Sequence, residues 1–588
     1  MSFGQTLYGQ TNIRVTNSEA AKILEGNYNP LNYSAQTVIA DHSRIICEIK
    51  DRISSDSLKS NLLKLESFET RHTYSDTLSS TTGIGAARRW VYKQFEAYSQ
   101  ANGGRLLPTY LEFDYLNGSC GDGYGFKNVL AVLPGTDSSE KDIIIIEAHM
   151  DSRCEIPCSI SCFAPGADDN GSGSVLVMEL ARVMAKYSFE HTIVFMLTIG
   201  EEEGLFGAEA MSKYCVDKQI EIKAVQNNDI VGGITCGKTA SPPGCPNEGH
   251  IDSTQLKIYS YQGLSAPNRS FARTVKMYYD EKLKPIADVP MDITVMSLED
   301  RTGRGGDHIP FRLDGFRSIR FTSANEHGDA NVGPSYVDRQ HTSGDVVGID
   351  TNNDNSLDEY YVDFNYLRRN AVINGMSAAL LALGPETPTA SVTAEASGLE
   401  VNIISPSSFY KGYRIAVRNS AANQNFDAVY YTESSSYTIP GLESGKRYLI
   451  SVAAMDDKGI MSPFSGEVFI EANVSTLQAD EDPLDLVAAC SFGNINATEL
   501  DKKIRMHCKP NPVGNQSVFV INSPINYMGK SALIQIMDTR GSTVDIIDLN
   551  SMKNKMEVKY NTKLPSGVYF YSLLIDGMPV ANQRMLIY

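Results

Sequence analysis

The chain has 588 residues, 42% of them hydrophobic and 21% charged, with a formal net charge of −18. This length and composition are typical of a globular protein with three or four domains, not of a disordered chain. The acidic balance argues against nucleic acid as a partner, because phosphate contacts would be repulsive. No apolar run reaches the roughly 18 residues that a membrane span needs.

Residues 1–34 are expected to form an N-terminal extension. Met1–Thr6 lacks the basic and apolar regions of a signal peptide, so we expect an export signal to lie upstream of Met1 or to be absent. Residues 35–67 are predicted to be helical with a break at Ser54–Ser57, and Gly83–Tyr98 has the spacing of an amphipathic helix.

The most informative stretch follows a predicted strand over residues 127–134. Four consecutive isoleucines, Ile143–Ile146, predict a strand buried on both faces, as in the centre of a parallel sheet. His149 and Asp151 come directly after it, at the sheet edge where open α/β folds bind ligands. This placement makes both residues candidates for a functional site.

Cysteines follow this stretch and flank other loops. Cys154, Cys158 and Cys162 have a spacing that occurs in metal sites, but prolines make the segment a loop and no matching Cys/His set follows, so we expect a loop disulfide. Two more pairs bracket irregular segments and are candidates for closing them: Cys236 with Cys245, and Cys490 with Cys508.

Acidic residues and histidines recur after each later strand. Asp168-Asp169-Asn170-Gly171 precedes a helix, strand 191–198 ends in Glu201-Glu202-Glu203, strand 222–226 ends in Asn228-Asp229, and strand 317–322 is followed by His327 and His341. Each string alone has an ordinary explanation as a turn, a cap or a solvated helix start. Together they place two histidines and three carboxylates at strand ends, a set that suits zinc and, with one shared carboxylate, two zinc ions.

The segments that carry these residues closely resemble the M28 family of zinc peptidases over roughly residues 35–384. The matching motifs occur in the family's order: His149-Met-Asp151-Ser, Gly166-Ala-Asp168-Asp169-Asn-Gly-Ser-Gly, Gly200-Glu201-Glu202-Glu-Gly-Leu-Phe-Gly207, Asn228-Asp229 and His341-Thr. That family includes secreted bacterial aminopeptidases with a co-catalytic zinc pair. The resemblance implies a zinc exopeptidase-like α/β fold, with a mixed, mostly parallel sheet flanked by helices.

The resemblance also implies a role for each metal-type residue. Asp169 would bridge two zinc ions, with His149 and Asp229 holding one ion and Glu202 and His341 holding the other. The family pattern further implies a cis peptide bond after Asp169.

Two carboxylates have implied roles in catalysis. Glu201 falls at the family's general-base position, where a carboxylate outside the metal shell can take a proton from water and deliver it to the leaving amine. Adjacent Glu201 and Glu202 can divide these roles only if their side chains diverge. Asp151 falls at the position that orients the first histidine, His149.

Other polar segments have weaker readings. Asp307 and His308 are expected to shape the pocket wall rather than bind zinc, and His327 has no assigned partner. Asp350, Asn352 and Asp354 alternate like the first half of a calcium-binding EF-hand loop. The loop lacks the glycine and glutamate of that motif. The segment is therefore interpreted either as a Ca²⁺ site or as a polar surface insertion without a metal.

Two small all-β sandwich domains are predicted after a helix that ends near Gly384. Residues 385–473 resemble a fibronectin type III domain, residues 474–508 are expected to be a linker, and residues 509–588 resemble the C-terminal sorting domain of type IX secretion. The last resemblance implies secretion machinery as a partner and a secreted or cell-surface location. If this domain is only an address, a chain ending near Gly384 should fold and keep its turnover.

The expected function is therefore a secreted dinuclear-zinc exopeptidase, most specifically an aminopeptidase that acts on peptide substrates. One alternative is a glutaminyl cyclase-like enzyme of the same fold with a single zinc ion. The other is a non-catalytic adhesin whose peptidase-like domain is silent, against which the intact Glu201 argues.

Overall fold

A computed structural model describes most of residues 9–472 and 505–587. The gaps are 36, 138, 237–248, 264–265, 302–303, 326–338, 355, 396, 406–409 and 421–424 in the first part, and 510–512, 514–515, 523–531, 539–542, 550–554 and 576–577 in the second. The chain divides into two compact units, residues 1–491 and residues 492–588.

The first unit is built on a nine-stranded sheet within the described residues. Its strands are β1 (Gly9–Val15), β2 (Leu107–Gly118), β3 (Gly121–Leu133), β4 (Ile143–His149), β5 (Thr192–Thr198), β6 (Ile222–Asn228), β7 (Gln255–Tyr259), β8 (Asp292–Val295) and β9 (Ser318–Ser323). Their order across the sheet is β1-β2-β3-β5-β4-β6-β9-β7-β8. Parallel pairs join β5, β4, β6 and β9 in the centre and β7 with β8 at one edge, and the other pairs are antiparallel. The predicted mixed α/β sheet is confirmed; four of its eight strand pairs are parallel, and three of these four form the centre.

Helices cover this sheet. They are α1 (Ser18–Leu24), α2 (His42–Arg52), α3 (Ser55–Glu66), α4 (Gly83–Ala101), α5 (Gly173–Met184), α6 (Phe206–Lys218), α7 (Pro267–Tyr278), α8 (His308–Leu313) and α9 (Phe364–Leu383). Every residue of β4, β5 and β6 is buried, which is the burial that the isoleucine run predicted for a strand with helices on both faces. Helix α2 ends and α3 begins at the predicted break, where Ser54 caps α3.

The predicted N-terminal extension is part of this unit, which corrects the boundary at residue 35. Strand β1 pairs with β2 at the edge of the large sheet, and Ala20, Ile23 and Leu24 of α1 are buried in the core. The segment gives little sequence signal because an edge strand with one solvated face is largely polar.

Parallel pairing aligns the carboxyl ends of the central strands. His149 at the end of β4 is paired with Thr198 at the end of β5, and Asn228 at the end of β6 is paired with Phe321 of β9. The segments that follow these strands therefore emerge at one edge of the sheet, which is where α/β folds bind ligands.

A β-sandwich follows the ribbon formed by β10 (Gly348–Ile349) and β11 (Glu359–Tyr360). Its strands are β12 (Thr389–Glu395), β13 (Gly398–Ile404), β14 (Gly412–Asn419), β15 (Ala428–Thr432), β16 (Ser436–Ile439), β17 (Arg447–Met455) and β18 (Val468–Glu471). They form the antiparallel sheets β12-β13-β16 and β15-β14-β17-β18. The predicted sandwich is present and belongs to the first compact unit.

The sandwich packs against the α/β part through buried groups. Met461 and Phe464 belong to the same hydrophobic cluster as the large sheet, and the Phe464 amide donates to Oγ1 of Thr274 at 3.1 Å. Glu467 binds Arg273 of α7 at 2.8 Å and also Arg418 of the sandwich. The contact face of the sandwich is therefore part of the α/β core, while the interior of the sandwich forms a hydrophobic cluster of its own.

The second unit is a separate β-sandwich. Its strands are β19 (Arg505–Lys509), β20 (Ser517–Asn522), β21 (Ala532–Met537), β22 (Thr543–Leu549), β23 (Lys555–Tyr560), β24 (Gly567–Ile575) and β25 (Met578–Ile587), in the sheets β19-β20-β23 and β22-β21-β24-β25. Strand β19 begins at Arg505, inside the segment predicted as linker. None of the helices in the described part combines the length and hydropathy that a membrane span requires.

Disulfides close the loop after β4, as expected. Cys154 is bonded to Cys162, and Cys158 is bonded to Cys120 at the β2–β3 turn. Cys236 is also in a disulfide, and its predicted partner Cys245 lies outside the described residues. Cys508 is buried, whereas its predicted partner, residue 490, is not among the described residues.

Candidate metal centre

The five predicted zinc ligands meet at the carboxyl edge of the central strands. Nε2 of His149 lies 3.2 Å from Oδ1 of Asp169 and 3.4 Å from Oδ1 of Asp229. Nε2 of His341 lies 3.0 Å from Oδ2 of Asp169 and 3.1 Å from Oε2 of Glu202. The two oxygens of Asp169 thus face two different histidines, in the position of a bridging carboxylate. Zinc binding by these side chains stays a prediction.

The donor atoms fit a metal better than they fit hydrogen bonding. In the described part of the chain, His149 Nε2, Asp169 Oδ2, Glu202 Oε1 and Asp229 Oδ1 are buried without a hydrogen-bond partner. Two ligands bound to one tetrahedral zinc at about 2.0–2.2 Å lie roughly 3.3 Å apart, which is close to the separations found here. Buried polar atoms need compensation, and a cation between them would supply it.

Adjacent glutamates point to different halves of this site. Glu201 offers an oxygen to the group formed with His149 and Asp229, whereas Glu202 joins the group formed with Asp169 and His341. Their side chains therefore diverge, which is the condition that separate roles require. Burial raises the pKa of Glu201 well above its usual value, and the neighbouring acids Asp229 and Glu202 add to the rise while His149 opposes it.

Asp151 supports both His149 and the glutamate turn. Its Oδ1 lies 3.5 Å from Nδ1 of His149, and its carboxylate accepts from the backbone N–H groups of Glu201 and Glu202 at 3.4 and 3.3 Å. Thr73 donates to the same carboxylate at 3.1 Å. An anionic group in this position stabilises the Nδ1–H tautomer of His149, leaving Nε2 free to bind metal.

Asp169 is held in place by Asp345, a residue to which the sequence assigned no role. Both oxygens of Asp345 accept backbone N–H groups, from Asp168 and from Asp169, at 2.9 Å each. The Asp169–Asn170 peptide bond is cis, as the resemblance implies. Burial opposes ionisation of Asp169, yet the adjacent imidazoles of His149 and His341 hold its pKa well below the usual range. The bridging position is thus occupied by a carboxylate.

Two arginines touch the carboxylates of the site, and neither stood out in the sequence. Nη2 of Arg320, which is fully buried on β9, lies 3.0 Å from Oδ2 of Asp229. Nε of Arg153 donates to Oε2 of Glu202 at 2.9 Å. Arg153 had one available signal, its position directly after the His149-Met-Asp151-Ser motif, but Arg320 lies inside an ordinary strand.

The remaining polar candidates are not among the residues that meet around Asp169. Asp307 and His308, predicted for the pocket wall, are buried; Asp307 accepts from Oγ1 of Thr198, and His308 contacts the Glu299 carbonyl. His327 lies outside the described residues. Oε1 of the third glutamate, Glu203, lies 3.1 Å from Nε2 of buried His72, so this carboxyl group is directed at His72 and not at the ligand set.

The candidate calcium loop is exposed and internally hydrogen-bonded. Oδ1 of Asp350 accepts the amide of Asn353 at 2.7 Å, and Oδ1 of Asp354 accepts that of Ser356 at 2.8 Å. Among the described residues, no three His, Cys, Asp or Glu side chains converge here. Calcium binding at this loop stays a prediction.

Comparisons with known proteins show which family this chain is similar to. The pattern of peptidase family M28 matches residues 128–361. Probable zinc metalloproteases of Pyricularia oryzae and Pyrenophora tritici-repentis are 31% and 30% identical, over 64% and 63% of this chain and 75% and 77% of those proteins. Among solved structures, the LapA aminopeptidase of Legionella pneumophila matches with a TM-score of 0.42 and 19% identity over 60% of this chain and 79% of that one. The glutaminyl cyclase of Porphyromonas gingivalis matches with a TM-score of 0.38 and 16% identity over 56% and 98%.

Proposed function

Since the chain belongs to peptidase family M28, we propose that it is an exopeptidase with two zinc ions that removes N-terminal residues from peptides. The position of Asp169 carries the two-ion part of this proposal, because its oxygens lie 3.2 and 3.0 Å from two different histidines. His149 and Asp229 would hold one ion, and Glu202 and His341 would hold the other.

The chain's own residues supply positioning and proton transfer. Zinc ions bound here would polarise the scissile carbonyl and make a water molecule more acidic. Glu201 would take the proton of the attacking water and pass it to the leaving amine. Asp151 holds the backbone of Glu201 and Glu202 and orients His149, so the proton acceptor and two metal ligands share one support.

Removal of metal tests the zinc requirement. We expect a chelator to abolish peptide hydrolysis and added Zn²⁺ to restore it, because the predicted ligands can activate a water molecule only when they hold a cation. Elemental analysis of the purified protein should find two zinc ions per chain, and it will also report any calcium from the loop at residues 350–358. Full activity without metal contradicts the proposal, and a single zinc ion favours the glutaminyl cyclase-like alternative.

The aminopeptidase assignment is tested by blocking the substrate's amino group. We expect hydrolysis of aminoacyl-p-nitroanilides with a free amine and none of their N-acetylated counterparts. Equal hydrolysis of both makes the enzyme an endopeptidase or acylase. An inert chain with full zinc content leaves the adhesin alternative.

We also propose that the protein is secreted or displayed at the cell surface. Disulfides such as Cys120–Cys158 support this location, because they form in oxidising compartments. The three- and four-stranded sheets of residues 389–471 support a fibronectin type III-like domain, and residues 509–588 are proposed to address the chain to type IX secretion machinery. Deleting that segment in the native host should stop export, and continued export would rule out the addressing role.

A further inference from the structure

Arg153 lies between two of the predicted zinc ligands. Its Nε donates to Oε2 of Glu202 at 2.9 Å, and its Nη2 lies 2.6 Å from Nδ1 of His341. The side chain is 22% exposed, so it extends from the buried ligands towards solvent. The zinc chemistry proposed above leaves this guanidinium without a task.

The proton on His341 determines what Arg153 can bind. A guanidinium only donates, so its Nη2 contact requires Nδ1 of a neutral His341 to be unprotonated, with the ring proton on Nε2. That Nε2 faces Asp169 and Glu202 at 3.0 and 3.1 Å. A zinc ion needs the Nε2 lone pair, so the ring proton must move to Nδ1. The Nδ1–H group of His341 and the Nη2–H group of Arg153 are then two donors that face each other. The Nη2–Nδ1 hydrogen bond and zinc on neutral His341 therefore exclude one another.

Arg153 keeps its place when that hydrogen bond is lost. Its Nε can still donate to Glu202, and the neighbouring Cys154 is held by its disulfide to Cys162. Oε1 of Glu155 also accepts from the amide and hydroxyl of Ser343 at 3.2 Å each, which ties this loop to the His341 loop. When zinc is bound, the guanidinium of Arg153 therefore stays beside the ions, and its Nη2 group needs a new hydrogen-bond acceptor.

We propose that Arg153 is a specificity-determining residue that binds a carboxylate of the substrate, an inference that rests on the proposed peptidase function. The planar fork of a guanidinium matches a carboxylate through two parallel hydrogen bonds. The carboxylate comes either from an acidic side chain next to the scissile bond or from the C-terminus of a dipeptide. Substrates with neither group lack this contact.

Matched substrates test the proposal and identify the source of the carboxylate. Each pair differs only by a carboxylate and its amide: Glu- and Gln-p-nitroanilide, Leu-Glu-amide and Leu-Gln-amide, and Leu-Ala and Leu-Ala-amide. In the wild-type enzyme we expect the acidic member of at least one pair to have a kcat/KM roughly 10-fold higher or more. Arg153→Gln should bring that ratio to about one, and Arg153→Lys should give an intermediate ratio, because an ammonium keeps the charge without the fork.

Arg312→Gln is the matched control, because Arg312 is also 22% exposed and paired with a glutamate, Glu299. It should leave every ratio unchanged. Wild-type ratios near one, or a ratio that survives Arg153→Gln, overturn the proposal. Loss of a zinc ion from Arg153→Gln also overturns it, since Arg153 would then serve the ligands rather than the substrate. If Arg153→Gln does not fold, the Arg153→Lys ratio decides.

A binding measurement separates this proposal from the peptidase function. Calorimetric titration of glutamate and glutamine into zinc-loaded Glu201→Gln protein should show tighter binding of glutamate, and Arg153→Gln in the same background should remove the difference. A wild-type enzyme that hydrolyses no peptide refutes the proposed function, whereas equal binding of glutamate and glutamine excludes Arg153 as the carboxylate-binding residue for a free acidic amino acid.

Discussion

The predicted division between metal binding and proton transfer falls on two neighbouring residues. Glu201 and Glu202 are identical in chemistry, yet one faces His149 and Asp229 and the other faces Asp169 and His341. The turn that separates them is held by Asp151, which accepts both of their backbone N–H groups. The predicted roles of the two glutamates therefore depend on the direction in which the turn points each side chain, and not on the residue type.

Substitution of each glutamate should separate the two roles. Glu201→Gln keeps size and removes the base, so we expect zinc content near wild type and a kcat lower by roughly 10²–10⁴-fold, with KM changing less because the proton moves on the way to the transition state. Glu202→Gln should lose zinc first. Zinc analysis and steady-state kinetics on both variants provide the measurement, and the reverse pattern would shift the assignment by one residue.

At the scale of elements, the sandwich over residues 389–471 is more than a spacer. Phe464 is fully buried in the cluster that contains the large sheet, and Glu467 neutralises Arg273 of α7. A chain ending at Gly384 would expose to water the apolar surface that Met461 and Phe464 cover, and the loss of that burial is destabilising. This packing replaces the expectation that such a chain folds as well as the longer one.

Single substitutions in the sandwich should reveal this coupling. Phe464→Ala should lower the free energy of unfolding of the first unit by about 3–5 kcal/mol, because a large buried side chain is removed from the shared core. Phe469→Ala is the control, since that ring is 46% exposed, and we expect a change within about 0.5 kcal/mol. Calorimetry on both variants checks this, and equal effects would show that the sandwich is energetically independent.

At the scale of the whole molecule, the chain is two units with separate cores. The buried cluster of the second unit contains only residues from Met506 to Ile587, and every predicted ligand and catalytic residue lies in the first unit. Nothing in the described structure makes the site depend on residues 492–588.

Removal of the second unit should therefore leave catalysis intact. We expect a chain ending at Ser491 to keep the zinc content, the kcat/KM and the unfolding temperature of the first unit, because its core and ligand set are complete. Parallel kinetics and calorimetry on the full and shortened chains make the comparison. A marked fall in any of these quantities would show that the second unit completes the site or stabilises it.

Local patterns were enough for the elements that carry the site. Burial on both faces follows from the composition of a short segment, so the run Ile143–Ile146 predicted its strand, and the parallel fold class predicted that residues after successive strands would converge. The family resemblance supplied the order of the ligands and the cis bond after Asp169. These are properties that neighbouring residues, or a shared motif order, encode directly.

Tertiary structure alone decided which distant segments meet. Asp345 and Arg320 contact the predicted ligand segments from loops and strands far apart in sequence, and no local periodicity records such contacts. The same holds for β1 at the sheet edge and for Glu467 against Arg273. Periodicity reports whether a side chain is buried, whereas its partner depends on strand order and on packing between units of the chain. That is why the predicted ligands could be proposed from the sequence, whereas the groups that contact and orient them could not.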